Sequence, residues 1–422
     1  MQSLPIVLIV TVVGVVGVGT IFWSSAGIVR TISAAFRRQT DDYRPVVPKG
    51  AVAIVIAAHN EELVINKTLD SAMSLVPCGQ IYVASDGSSD LTAELANRRG
   101  ANVLELNPNR GKAGAIVAAI EHFDLVDRYD VVMLLDADTV LAADYLDSGL
   151  PLFDDPEIVA VAGRASSILD PAPATRMGRV LVTYRQRVYV AVQYLLKYGQ
   201  ASRLVNVVSI VPGFASMYRT RVLNSIDIDA PGLSIEDYNM TFEIHAKSLG
   251  RIAFNPRAAI AHTQDPDALR DYAKQVRRWS LGFWQTLLRH GWHARLFFLL
   301  TWLSVVELLI ACLMLVVTPP VAALSAASGL FAGWGWDATG DLHVFSTTLP
   351  AWILVLGILI PDLCLSVLAA IVTRNPRFLA YAPVFPLLRI LDAALTLAAL
   401  RRALAGSSSG VWQSPQRRAT VT

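Results

Sequence analysis

Apolar residues are spread unevenly along the chain, and their pattern divides it into three parts. Residues 4 to 24, LPIVLIVTVVGVVGVGTIFWS, form one uncharged apolar run. A helix that crosses a bilayer needs about 20 such residues. Three more apolar stretches lie towards the other end, over 297 to 318, 351 to 373 and 378 to 400. Residues 50 to 292, in between, have ordinary globular composition and suffice for one large domain. AVAIVIAAH, IYVASDG, NVLELN and VVMLLDADT read as short buried strands. Helical patterns separate them, from Glu61 to Leu75, in SSDLTAELANRRG and in GKAGAIVAAIEHF. Strand and helix in alternation predict an α/β fold with a parallel sheet and helices on both faces. Ligands bind such sheets at the carboxyl ends of the strands. The conspicuous polar residues fall there: His59, Asn60 and Glu61, then Asp86, then Asp136 and Asp138.

Charge orients the apolar ends. No basic residue precedes the first run, and Arg30, Arg37, Arg38, Arg44 and Lys49 come after it. A secretory leader has its basic residues first. The positive-inside rule therefore places the chain beyond residue 30 in the cytoplasm. The 297 to 318 run begins after His290, His293 and Arg295, and the chain from there to 350 has no Lys or Arg, so that stretch is expected outside. The 351 to 373 run ends at Arg374 and Arg377, which returns the chain to the cytoplasm. The last run carries Arg389 and Asp392 one helical turn apart and ends in Arg401 and Arg402. It can span with an internal ion pair, lie in the interface or form a broken hairpin. The expected organisation is a transmembrane helix over 1–28, a basic cytoplasmic linker over 29–49 and a globular domain over 50–292. A membrane region of two to three spans over 293–403 and a polar tail over 404–422 complete it.

The overall composition, 54% hydrophobic with a net charge of +2, gives no nucleic-acid footprint. The three cysteines have neither metal-type spacing nor a disulfide framework, which suits a reducing compartment.

The chemistry-bearing residues each admit a plain and a sharper reading. In LLDADT, apolar residues lead into Asp136-Ala-Asp138, and strand alternation puts both carboxylates on one side. They are either a solvated strand end or ligands for a divalent metal that bridges a diphosphate. In YVASDGSSD, Asp86 comes just after a strand, and Asp90 enters the next helix. They read as a turn with a capping acid, or as an acid facing a nucleoside. Lys112 in NRGKAGA sits at a helix start suited to phosphate. It is no P-loop, because Leu106 stands five positions before Gly111 and Ala113 comes after the lysine.

In SIEDYNMTFEIHAKSLG, Ser234 is expected to cap a helix with Asp237 three positions on, and Gly250 to end it. Glu236 and Asp237 are then either favourable charges at the helix mouth or a base and its neighbour. In YAKQVRRWSLGFWQ, Gln275, Arg278 and Trp279 share one helix face. An amphipathic helix at a membrane surface, anchored by Arg and Trp, accounts for Arg277 and Trp284. It does not account for the glutamine. The basic and aromatic stretch 179 to 203 also reads as an interfacial helix.

Asp86 in SDGSSD, the Asp-x-Asp of LLDADT, the acidic pair of SIEDYN and the QVRRW segment, in that order and spacing, resemble membrane-embedded family 2 glycosyltransferases. That group includes cellulose, hyaluronan, chitin-oligosaccharide and poly-N-acetylglucosamine synthases. The resemblance covers residues 50 to about 290 and the flanking membrane segments. AAHNEE, VPGFASMYRT and AAIAHTQDPDAL add to it. The short N-terminal anchor and the GVWQSPQR tail look closer to poly-N-acetylglucosamine synthases than to cellulose synthases.

The resemblance implies a cytoplasmic GT-A, or nucleotide-diphospho-sugar transferase, domain between transmembrane helices in a cell membrane. The implied enzyme is an inverting, metal-dependent glycosyltransferase that uses Mg2+ or Mn2+. It would move a sugar, N-acetylglucosamine or another hexose, from a UDP-type donor to a growing polysaccharide that is exported. The alternative is one transfer to a membrane lipid. By motif match Asp237 is the general base, with a raised pKa beside a diphosphate. His59, Glu61, Asp86, Lys112, Asp136 and Arg278 bind the donor, and Asp138 holds the metal. Gly213, Phe214, Gln275 and Trp279 border the acceptor. An export subunit, an accessory subunit or a second copy of the chain is an implied partner, and nucleic acid is not. Ile235 stands where the family usually has Thr, which alters the surroundings of the base. A non-enzymatic receptor would require this whole arrangement to be accidental.

Overall fold

The computed structural model describes residues 4–35, 45–337 and 339–406. Arg37, Arg38 and Arg44 of the linker, and the GVWQSPQR tail, lie outside the described residues.

The four expected strands form: β1 (Val52–Ala58), β2 (Ile81–Asp86), β3 (Asn102–Leu106) and β4 (Val131–Asp136). After them come β5 (Val140–Leu141), β6 (Ile158–Ala162), β7 (Arg164–Ser167), β8 (Ala215–Arg219), β9 (Arg251–Ala253) and β10 (Ile260–Thr263). Seven make the central sheet in the order β3-β2-β1-β4-β8-β6-β9, and β5-β10-β7 make a small second sheet. The expected parallel arrangement holds for β3-β2-β1-β4. The sheet as a whole is mixed, because β8 runs antiparallel to both β4 and β6. The unbroken apolar run of β1 serves both faces at once. Ala53, Val55 and Ala57 enter one core, and Val52, Ile54 and Ile56 enter the other.

The helices between the strands are shorter than their sequence patterns. The one expected from Glu61 starts at Ile65 and ends at Met73, and the next spans Thr92–Arg98. The third, Gly111–His122, matches its pattern closely. Asp90 takes the plain role, accepting from the Thr92 backbone N–H at 3.0 Å.

The membrane segments differ from four simple spans. The first run is two helices, Leu4–Val16 and Val18–Ala35, bent by 73° at Gly17, whose φ is +87°. The Gly19 N–H behind the bend donates to Glu307 at 2.8 Å. Two segments, Leu296–Gly333 and Asp341–Thr373, are long and apolar enough to cross a membrane. The first has 38 residues, hence about 57 Å of helix, and continues well past the 318 boundary read from hydropathy.

The last run forms the Phe385–Leu404 helix along the Leu269–His290 helix, where the Trp284 indole donates to Thr396 O at 3.1 Å. Arg389 and Asp392 do not pair with each other. Arg389 faces Asp362 at 3.7 Å and donates to Val15 O, and Asp392 accepts from Tyr184 and Tyr272. In a helix packed on both sides, each group meets the polar partner on its own side.

The 179 to 203 stretch, expected as an interfacial helix, is largely packed inside the protein. It forms an α-helix, Arg176–Val190, continued by a π-helical turn, Ala191–Lys197. It lies buried between the sheet domain and the apolar helices. Arg187 pairs with Asp362 at 2.7 Å, both 2% exposed. At its far end the backbones of Gly27 and Gly199 cross closely. A Cβ on Gly199 would fall 2.3 Å from Trp23 O, and one on Gly27 would fall 2.5 Å from Leu195 O. Arg30 seals the crossing with its guanidinium 4.1 Å above the Tyr198 ring.

Candidate active site

The carboxyl ends of β1 and β4 open into a cavity of about 990 Å³. Its wall includes Glu61, Lys112, Asp136, Asp138, Gly213, Phe214, Asp237, Gln275, Arg278 and Trp279. Ten of the twelve residues named from sequence thus meet on one wall. The other two, His59 and Asp86, lie behind Arg110. The His59 ring donates to Asp86 O at 2.7 Å, and Asp86 Oδ1 accepts the Arg110 N–H at 2.6 Å. Asp86 Oδ2 is buried and, among the described residues, has no partner. Burial raises its pKa against the N–H groups that favour its charge. An acceptor oxygen in that state suits an N–H donor from a ligand such as a nucleobase.

β8 explains how the acids gather. Its antiparallel pairing sets Ala215 opposite Leu135, so Gly213 and Phe214 lie beside the end of β4. The Asp136 N–H donates to Phe214 O at 2.8 Å. The Gly213 N–H donates to Asp237 Oδ2 at 3.1 Å, and Gly213 O accepts from Lys112 at 3.3 Å. A Cβ here would stand 2.8 Å from Glu236 Oε1, so a larger residue would displace the tip of that carboxylate.

Lys112 is the centre of this group. Its ammonium lies 2.7 Å from Asp136 Oδ1 and 2.7 Å from Glu236 Oε1. Burial works against its charge, yet the two carboxylates raise its pKa. Among the described residues the amine faces three oxygens of the protein, those of Asp136, Glu236 and the Gly213 carbonyl, from its place on the cavity wall. Glu236, left open by the sequence, is the buried end of the bridge through Lys112, and Lys112 holds its carboxyl below the usual range against burial.

Asp237 stands in the first turn of the Glu236–Ala246 helix. Its Oδ1 accepts the Tyr238 N–H at 2.7 Å. Burial first, then the charge of Glu236, pushes its pKa up to about 6. Ser234 is not the cap. Ile235 holds that position in extended conformation, and the Ser234 N–H turns to Gln285. The helix ends at Ala246, and Ser248, with a φ of +53°, makes the left-handed turn expected of Gly250. Ile235 fits a notch at Gly282 of the Leu269–His290 helix, where a Cβ would lie 2.1 Å from its side chain.

Gln275 and Trp279 share a partner that sequence reasoning missed. Arg185 donates to Gln275 Oε1 at 3.0 Å, and its guanidinium lies 4.5 Å from the Trp279 ring centroid. Its other side faces Asp265 at 3.7 Å. Asp265 in turn accepts from Ser167 and Tyr189, and burial raises its pKa. The available signal was polar residues four apart, Arg185, Tyr189 and Gln193, on a mostly apolar helix. Trp284, read as a membrane anchor, is buried.

Among the described residues, no three His, Cys, Asp or Glu side chains form a metal cluster. Asp136 and Asp138 offer two hard oxygen donors at one strand end. A divalent ion bound with a diphosphate needs only about one or two carboxylates, with phosphate and water completing its shell. The donor set fits Mg2+ or Mn2+ on those terms.

The fold and the site define a nucleotide-diphospho-sugar transferase architecture of the GT-A kind, with apolar helices that fit transmembrane segments. Residues 48–282 match the family described as Glycosyltransferase like family 2, and the chain belongs to it. It is 26% identical over 290 residues to a poly-beta-1,6-N-acetyl-D-glucosamine synthase of Staphylococcus epidermidis, covering 64% of this chain and 65% of that one. Against the enzyme of the same name from Staphylococcus aureus strain COL it is 28% identical over 245 residues, 56% of each chain. The match thus spans less than two thirds of either relative. A mannosyltransferase from Pyrobaculum calidifontis, solved with GDP-Man and Mn2+, has a similar fold. Its TM-score is 0.51 at 16% identity, over 84% of this chain and 97% of that one.

Proposed function

We propose that the chain is an inverting polysaccharide synthase. It would transfer a sugar, with N-acetylglucosamine first in line, from a UDP-linked donor to a growing polymer. The observation that carries this reading is Asp237. It is a half-buried carboxylate whose pKa is pushed up to about 6, fixed by two backbone N–H groups, on the same wall as Asp-x-Asp and Gln-x-x-Arg-Trp. A base of that pKa is charged at neutral pH and still takes up a proton readily.

In the proposed reaction an acceptor hydroxyl attacks the anomeric carbon in line with the leaving diphosphate. Asp237 takes the hydroxyl proton as the new carbon–oxygen bond forms. The old bond breaks, and its electron pair leaves with the nucleoside diphosphate, inverting the configuration. Arg278 faces the charge that grows on the leaving group. Asp86 and Glu61 bind the nucleoside, with His59 behind Asp86. Asp138 would hold the divalent ion beside Asp136. When bound, that ion supplies neutralisation of diphosphate charge. Lys112 orients Asp136 and Glu236.

The basic residues after the first apolar run support a cytoplasmic catalytic domain, and the apolar segments support export between them. A second reading, one transfer to a membrane lipid, is favoured by Ala398 and Ala399 of the last apolar helix, which form part of the cavity wall.

Purified full chain, Mg2+ or Mn2+ and a panel of labelled sugar nucleotides test both. A ladder of product lengths supports the synthase, and one glycolipid species supports the lipid reading. Asp237→Asn is expected to abolish transfer and to keep UDP binding. Near-normal turnover in that variant removes Asp237 as the base.

A further inference from the structure

The buried helix along the cavity carries a polar ladder in steps of four: Arg185, Tyr189, Gln193 and Lys197, all on the cavity wall. At 3.6 residues per turn, each step of four swings about 40° off the face. The wider π turn at Ala191–Lys197 takes that drift back, so Lys197 still looks into the cavity. Turns of this kind concentrate at functional sites.

The first three rungs are partnered within the protein. Arg185 holds Gln275, Tyr189 donates to Asp265, and Gln193 bonds both the N–H and the carbonyl of Ala165. Lys197 differs. It is 5% exposed, and among the described residues its ammonium has no hydrogen bond or ion pair. Its contact is the face of Phe254, 5.4 Å from the ring centroid. A buried ammonium without a polar partner is costly, and such groups are retained where a ligand completes them. Burial lowers its pKa to about 8, so it is charged at neutral pH. Lys197 and Asp237 line the same cavity, and the charge of that carboxylate favours the ammonium against burial. The amine thus shares its chamber with Asp237 and with the Gln275 and Trp279 wall.

We propose that Lys197 is an acceptor-site residue, whose ammonium holds a hydroxyl or amide oxygen of the incoming saccharide beside Asp237. This rests on the transferase reading above.

Titration calorimetry of the purified full chain tests it, with a β-1,6-linked N-acetylglucosamine pentasaccharide and UDP as separate probes. Lys197→Met is expected to weaken the pentasaccharide about 10- to 100-fold, the size of one charge-assisted hydrogen bond. UDP affinity is expected to stay within about twofold, and Lys197→Arg to keep most of the saccharide affinity. Unchanged pentasaccharide binding in Lys197→Met overturns the proposal. So does a loss confined to UDP, which would move Lys197 to the donor side. A parent chain that binds UDP but not the pentasaccharide overturns the acceptor chemistry assigned to this residue. A parent that binds neither probe overturns the transferase reading and this proposal with it. Should Lys197→Met lose both probes by misfolding, Lys197→Gln is judged by the same criteria.

Discussion

Replacing Lys112 with Met tests the bridge to Glu236. The ammonium sits 2.7 Å from both Asp136 and Glu236, whose side chains are 33% and 4% exposed. Breaking a buried pair by removing one partner costs about 3–5 kcal/mol, because the other charge stays buried and unmatched. The Asp136 half is a third exposed and adds about 0–1 kcal/mol at most. Lys112→Met is therefore expected to lose about 3–5 kcal/mol at pH 7, mostly through Glu236. The sign with pH comes from Glu236, whose carboxyl is held below its unfolded value in the native chain. Its stabilisation is present above the unfolded pKa, about 4.3, and disappears as pH falls through the folded one. The deficit of the variant should accordingly shrink on acidification. Glu236→Gln in the same chain removes the stranded charge, so the double variant should be more stable than the sum of the single losses. Urea titration in mild detergent, monitored by tryptophan fluorescence at pH 7 and pH 4, measures all of this. A Lys112→Met chain within about 1 kcal/mol of the parent at pH 7, or strictly additive losses, refutes the bridge.

Two more outcomes are expected at the same site. With Asp237 at a pKa of about 6, kcat/KM should fall as pH drops below about 6, because the base must be ionised. Glu236→Gln removes a like charge that raises that pKa, so the acid limb should move to lower pH, and an unmoved or raised limb counts against the coupling. Gly282→Ala forces a methyl to within 2.1 Å of Ile235 and should cost about 1–3 kcal/mol in stability. Ile235→Ala in that background should restore most of it, and a melt with no recovery argues against the notch.

The strands and the order of the motifs were legible because each is written in contiguous residues. β2 and β4 are mostly apolar runs that end in the acids they present, and β1 runs into the polar His59-Asn60-Glu61. What stayed hidden was partnership over long separations. Lys112 at a helix start reads as a phosphate ligand, and its bridge to Glu236 emerges only with the fold. Ile235 displaces Ser234 as the cap because its side chain fills the Gly282 notch, a contact with a helix far along the chain. The stretch from 179 to 203 reads as interfacial for a related reason. A helix with one polar and one apolar face has the same pattern whether its polar face meets lipid headgroups or a cavity. Trp284 and Arg277 group together as anchors in the sequence, yet the indole is buried against Thr396 and the arginine is exposed at the cavity rim. Composition does not distinguish those fates.

The glycine crossing at Gly27 and Gly199 gives the N-terminal helix a duty beyond anchorage. The two backbones close only because neither residue carries a side chain, and the segment pressed at that point also carries Lys197. An unrelated apolar helix grafted in its place would hold the protein at a bilayer and still leave the catalytic chamber without its brace. The N-terminal segment is thus a fitted component of the enzyme, and its sequence is constrained by shape as well as by greasiness.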